Sequence, residues 1–192
     1  MTSRLLKIAG SLAMLSAFLT LPLVYVSYKL ENKADLITII VQTVITLSGA
    51  VLFTFIVLYL MKFIHAFFKF HRVDRNLLLL IVANIVVAVL TLVAIYFTQL
   101  KESIEYAVLT VVVAQGIVQT QLGYKLLKLP NDLGGMLKPF CYANIATGVL
   151  MASIFLIPLG IVASAISDLM LGTIFLNMGK LVQNYESMRI RS

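Results

Sequence analysis

A chain of 192 residues that is 61% hydrophobic and only 12% charged carries more apolar surface than a soluble domain can bury. This composition excludes an ordinary globular fold and makes the bilayer the solvent for most of the chain. The formal net charge of +7 gathers beside the ends of apolar runs, which is a membrane-surface signal and not a nucleic-acid one.

Residues 1–7 carry Arg4 and Lys7 and lead into an apolar run over about 8–28. That run exceeds 20 residues and shows no convincing small-x-small cleavage site, so it reads as a retained span and not as a cleaved leader. Ala9, Ala13 and Ala17 recur every four residues beside Gly10, a small-residue face suited to close helix contact. Pro22 is placed to kink the outer half of this helix. The mixed-charge connector 29–35 follows, then a long second span over about 36–62 and a basic segment with Lys69, Arg72 and Arg75. Spans three to six are predicted at about 77–98, 105–127, 139–157 and 161–182. The segment 128–138 reads as a loop from its Pro130-Asn131 and Gly134-Gly135 steps. The expected fold is therefore all-α, a polytopic membrane bundle of six helices arranged as three hairpins, in one domain over 1–192.

Two of those hairpins read as copies of one unit, 71–130 and 131–183. Ala83-Asn84-Ile85 and Val89-Leu90 recur 60 residues later as Ala143-Asn144-Ile145 and Val149-Leu150. The return helices match at a shift of 56, pairing Gly116 with Gly172 and Gly123 with Gly179. The change of shift is expected to be one shortened loop, with 98–104 long and polar against Pro158-Leu159-Gly160.

Six spans put all but Lys29, Lys33 and Lys101 of the fifteen lysines and arginines on one side. By the positive-inside rule both termini are expected in the cytoplasm, of an inner or plasma membrane, with anionic headgroups against the basic face. There is no Trp, so the eight tyrosines are left to mark the interfaces.

Asp168 is the one acidic residue inside a predicted span, where a carboxylate costs roughly 2.5–3.5 kcal/mol on insertion scales. Ala165, Asp168, Gly172, Phe175 and Gly179 follow 3-4 spacing, so Asp168 faces the bundle on a small-residue seam. It reads either as a proton, cation or polar-ligand site or, the favoured reading, as a carboxyl that fixes helix packing. It is expected about 10 Å deep, level with Gln42 of span two. Gln115 and Gln119 share a face with Gly116 and Gly123, and interhelical hydrogen bonding explains them without a ligand. Asn84 and Asn144, at equivalent repeat positions, are placed to bond each other around a pseudo-symmetry axis.

Nothing suggests an enzyme or a cofactor. One cysteine, Cys141, precludes an internal disulfide or a CxxC site. His65 and His71 read as solvated groups in a basic segment, and no GxSxG, HExxH or phosphate loop is present. The leading expectation is an accessory or structural subunit of a larger membrane assembly, with a membrane-protein partner or a second copy. In length, span count and the alanine face of Ala9, Ala13 and Ala17, the chain also resembles the substrate-binding subunits of energy-coupling-factor vitamin transporters. That resemblance covers no ligand-binding motif; it implies a solute-binding or transport role near Asp168 as the alternative.

Overall fold

The computed structural model describes residues 2–30, 35–129 and 135–191, with only the backbone described at 98, 186, 187 and 189–191. Among these residues it contains six α-helices: α1 Ser3–Leu30, α2 Leu36–Phe68, α3 Asp74–Tyr96, α4 Lys101–Leu126, α5 Leu137–Ala152 and α6 Ile157–Arg191. Among the described residues there is no strand. Lys33 and the Pro130-Asn131 and Gly134 turn signals fall outside the described residues.

Each helix packs on the next, and α6 returns to pack on α1, its most extensive contact, so the six close into a ring. The α1–α2 contact is the slightest of the ring. Five helices, all but α5, are long and apolar enough to cross a bilayer, as in a multi-pass membrane protein. At 16 residues, α5 spans about 24 Å, short of the ~30 Å hydrocarbon core. The expected fifth span is therefore corrected: it ends at Ala152, not 157, and α6 begins at Ile157, not 161.

That correction also moves the difference between the two proposed repeats. The α3–α4 connection occupies 97–100, with a short 3-10 turn at Thr98–Leu100, and the α5–α6 connection occupies 153–156. Both are four residues long. The sequence shift changes from 60 to 56 because α5 stops eight residues after Asn144, whereas α3 continues twelve beyond Asn84. The shortening lies in a helix, not in a loop. Pro158 sits in the first turn of α6, where its missing N–H has no intrahelical partner to lose. Pro22 lies inside α1 without ending it.

Local chemistry explains the other boundaries. Asp35 caps α2, accepting from the Thr38 amide at 3.2 Å and the Thr38 hydroxyl at 2.7 Å. Lys69 ends α2 in the left-handed region at φ 50°, its amide donating to the His65 carbonyl. The turn into α6 places Ile154 at φ 45°, a costly conformation for a β-branched residue.

The ring is filled at one end. Ile56, Leu60, Phe63 and Ile64 of α2 meet Leu122 and Leu126 of α4, Phe140 of α5 and Ile174 and Phe175 of α6 in one apolar core. Phe63 packs edge-on against Phe175 across the ring, with centroids 5.3 Å apart. Further along α2 the same face opens. Positions 42, 49, 56 and 63 lie on one heptad line; Phe63 and Ile56 are buried, Gln42 is partly exposed and Gly49 is exposed.

Two contacts bring helix backbones together through glycine. A Cβ on Gly116 of α4 would lie 2.6 Å from the Gly148 carbonyl and 2.8 Å from the Ala152 amide of α5. A Cβ on Gly10 of α1 would lie 3.0 Å from the Gly172 carbonyl of α6. The alanine face of α1 is buried here, with Ala9 and Ala13 inaccessible and Ala17 6% exposed, as its four-residue spacing predicts.

Candidate polar site within the bundle

The polar side chains inside the helices collect on helix–helix contacts. Asp168 of α6 accepts a hydrogen bond from the Ser16 hydroxyl of α1 at 2.8 Å. Because α6 starts at Ile157, Asp168 is eleven residues from its N-terminal end, about 16 Å in, deeper than the expected 10 Å. At that depth an unpaired carboxyl is costly, and the Ser16 bond relieves part of that cost.

The expected pairing with Gln42 is not made. Alternate helices run in the same direction, and Phe63 of α2 meets Phe175 of α6. Asp168, seven residues before Phe175, is therefore level with about Ile56. Gln42 lies fourteen residues further out, about 21 Å along the axis. Asn84 and Asn144 likewise do not bond each other. The Asn84 amide donates to the Ala50 carbonyl of α2 at 3.2 Å. Asn144, 6% exposed, donates to the Ser167 hydroxyl of α6 at 2.9 Å and to the Phe140 carbonyl at 3.1 Å. It also accepts from Gln119 of α4 at 3.3 Å.

Gln119, Asn144 and Ser167 thus form a chain across α4, α5 and α6, and the adjacent Asp168–Ser16 bond carries it to α1. Four helices are tied together by five side chains. Gln115 and Gln42 are not part of it, and neither makes a side-chain hydrogen bond among the described residues. Gly49, on the interior line of α2 with Gln42, has no atom within 4 Å of where a Cβ would sit.

Sequence reasoning missed several partners. Ser16 lies seven residues after Ala9, on the small-residue face, and that spacing was the available signal. Ser167 gave none beyond its place beside Asp168. At the packed end, Lys125 of α4 donates to the Asn76 side-chain oxygen Oδ1 of α3 at 2.6 Å. Asn76, 3% exposed, in turn donates to the Val118 carbonyl at 3.3 Å. Also missed was the meeting of His65, His71 and Asp74 at the turn between α2 and α3.

No protein-family model matches this chain, and no curated protein or solved structure matches it.

Proposed function

We propose that this protein is a non-enzymatic packing subunit of a larger membrane assembly. In this reading it crosses the membrane six times as three hairpins, the last two related by duplication, with both termini in the cytoplasm. The observation that carries it is the use made of the intramembrane polar groups. The Asp168 carboxyl, well inside α6, bonds to Ser16 of the neighbouring helix, and Gln119, Asn144 and Ser167 bond one another. Such groups fasten helix to helix, and none is left paired with a second titratable group for acid–base work.

In this arrangement α5 is held by its neighbours and enters the membrane from the basic side, its short length made up by the 153–156 turn. The cytoplasmic face then carries most of the lysines and arginines, where anionic headgroups hold it by about 1 kcal/mol per residue close to the surface. The test is native mass spectrometry of the protein extracted gently from its own membrane. A protein partner retained at fixed stoichiometry is the expected result; a lone chain without one refutes the reading.

One observation favours a second reading, a solute-binding or transport subunit. Gly49 of α2 is exposed with open space where a Cβ would sit, and Gln42 and Gln115 make no side-chain hydrogen bond among the described residues. In this second reading the uncommitted amides and the open position on α2 serve a small polar solute. Gly49→Leu fits the open space and discriminates between the readings. It leaves a packing subunit assembled with its partner, whereas it displaces a solute that native mass spectrometry finds on the wild type.

A further inference from the structure

Both histidines of the chain and the first residue of α3 meet at the α2–α3 turn. His65 Nε2 lies 2.6 Å from Asp74 Oδ1, and His71 Nδ1 lies 3.2 Å from Asp74 Oδ2. The imidazole centroids are 4.4 Å apart. One ligand atom from each of the three residues falls within 4.8 Å of the others.

The backbone builds this cluster. Lys69 adopts its left-handed conformation and closes α2 with an amide bond to the His65 carbonyl, and the Asp74 amide donates to the His71 carbonyl. His65 is thereby set one turn before the end of α2, facing the start of α3, while His71 folds back over it. The segment also holds Lys69, Arg72 and Arg75. Yet among the described residues Asp74 pairs with none of them and takes both histidines instead.

We propose that His65, His71 and Asp74 form a three-ligand site for a divalent transition-metal ion of the zinc class. Two imidazoles and a carboxylate match the borderline donor set that such ions prefer over the all-oxygen sets of magnesium and calcium. Bonds of about 2.0–2.2 Å from a tetrahedral centre set ligand atoms roughly 3.4 Å apart. Two separations, 2.6 and 3.2 Å, lie just below that value and all three ligand atoms fall within 4.8 Å of one another, so small side-chain rotations admit the ion between the three groups. His71 has 69% of its side chain exposed, against 32% for His65 and 29% for Asp74, leaving the remaining coordination positions to water or to an external ligand. The surrounding basic residues weaken affinity for a cation without occupying its ligands. The ion would clamp the end of α2 to the start of α3, the joint between the first two hairpins.

The experiment titrates zinc alone into the full-length protein in detergent, purified through a tag that contains no histidine. Isothermal calorimetry and metal analysis of the desalted protein both read stoichiometry. One zinc per chain is expected for the wild type, weakened roughly tenfold or more in His71→Ala and in Asp74→Asn. His71 is exposed in the turn, so its alanine variant keeps the bundle, as monodispersity and helical circular dichroism verify. Absence of saturable zinc binding to the wild type overturns the proposal. So does binding of equal strength in a folded His71→Ala variant, which would assign the zinc to other groups.

Discussion

The glycine contacts make opposite forecasts for the same chemical change at two positions. Gly116→Ala places a methyl 2.6 Å from the Gly148 carbonyl and 2.8 Å from the Ala152 amide, both backbone atoms of α5 that cannot rotate away. Ordinary heavy-atom contact is roughly 3.5 Å, so α4 and α5 must part by the better part of an ångström. Overpacking of this kind costs about 1–3 kcal/mol. Gly49→Ala meets nothing within 4 Å. Both variants gain the same helix-propensity increment, about 0.5–1 kcal/mol for replacing a mid-helix glycine by alanine. That increment cancels in the comparison, so the difference in stability between the two variants isolates the steric cost. Gly49→Ala is expected to stabilise by up to about 1 kcal/mol and Gly116→Ala to fall about 1–3 kcal/mol below it. Equilibrium unfolding in mixed micelles of rising dodecyl sulfate fraction, followed by circular dichroism, measures both. Equal stability of the two variants would refute the close α4–α5 approach.

The remaining expectations concern other joints of the ring. In a double-mutant cycle on Ser16→Ala and Asp168→Ala, the coupling energy should be about 0.6–1.7 kcal/mol, the range of interhelical hydrogen bonds in membranes; additivity would mean that the 2.8 Å bond contributes nothing. Ile154→Gly removes a β-branched side chain from φ 45° and should raise stability by about 1 kcal/mol, and a loss in the same unfolding assay would place Ile154 outside the left-handed region. Ser103→Cys, in the first turn of α4, should react with an impermeant maleimide from outside intact cells while buried Cys141 stays silent. Labelling only after the cytoplasmic face is opened would reverse the proposed orientation.

The helical character and most helix positions were legible because apolar runs of span length have few alternatives in a chain this hydrophobic. The glycine and alanine contacts were legible for a related reason. Close backbone approach demands small residues at the contact, and the four-residue run Ala9, Ala13, Ala17 and the glycines Gly116 and Gly172 meet that demand. Hydropathy is blind, however, to where an apolar segment turns. Ser153 to Leu156 are nearly as apolar as the helices they join, so Pro158 and Gly160 attracted the predicted turn although the chain reverses earlier. Pro158 opens a helix there and does not close one.

Partner identity was the harder part, because it depends on register across the ring, which no single helix encodes. Asp168 and Gln42 were matched by counting inward from predicted ends. An error of four residues at the start of α6 moved Asp168 by about a turn, and the α2–α6 register set by Phe63 and Phe175 removed the match. Asn84 and Asn144 were matched by repeat position, yet each bonds nearer helices: α2 for Asn84, and α4 and α6 for Asn144. In a ring, residues at equivalent positions of two hairpins face different neighbours' side chains, and an amide on a single methylene reaches only the nearest. The same geometry explains why the polar chain stops short of α2 and α3. Its members lie on the contacts among α4, α5, α6 and α1, the arc where the glycine-mediated approaches bring backbones close enough for short side chains to meet. Gln42 and Gln115, one methylene longer than asparagine, make no side-chain hydrogen bond among the described residues. The longest run of polar fastening thus coincides with the tightest backbone packing, while α2, α3 and α4 are joined by separate bonds from Asn84, Asn76 and Lys125.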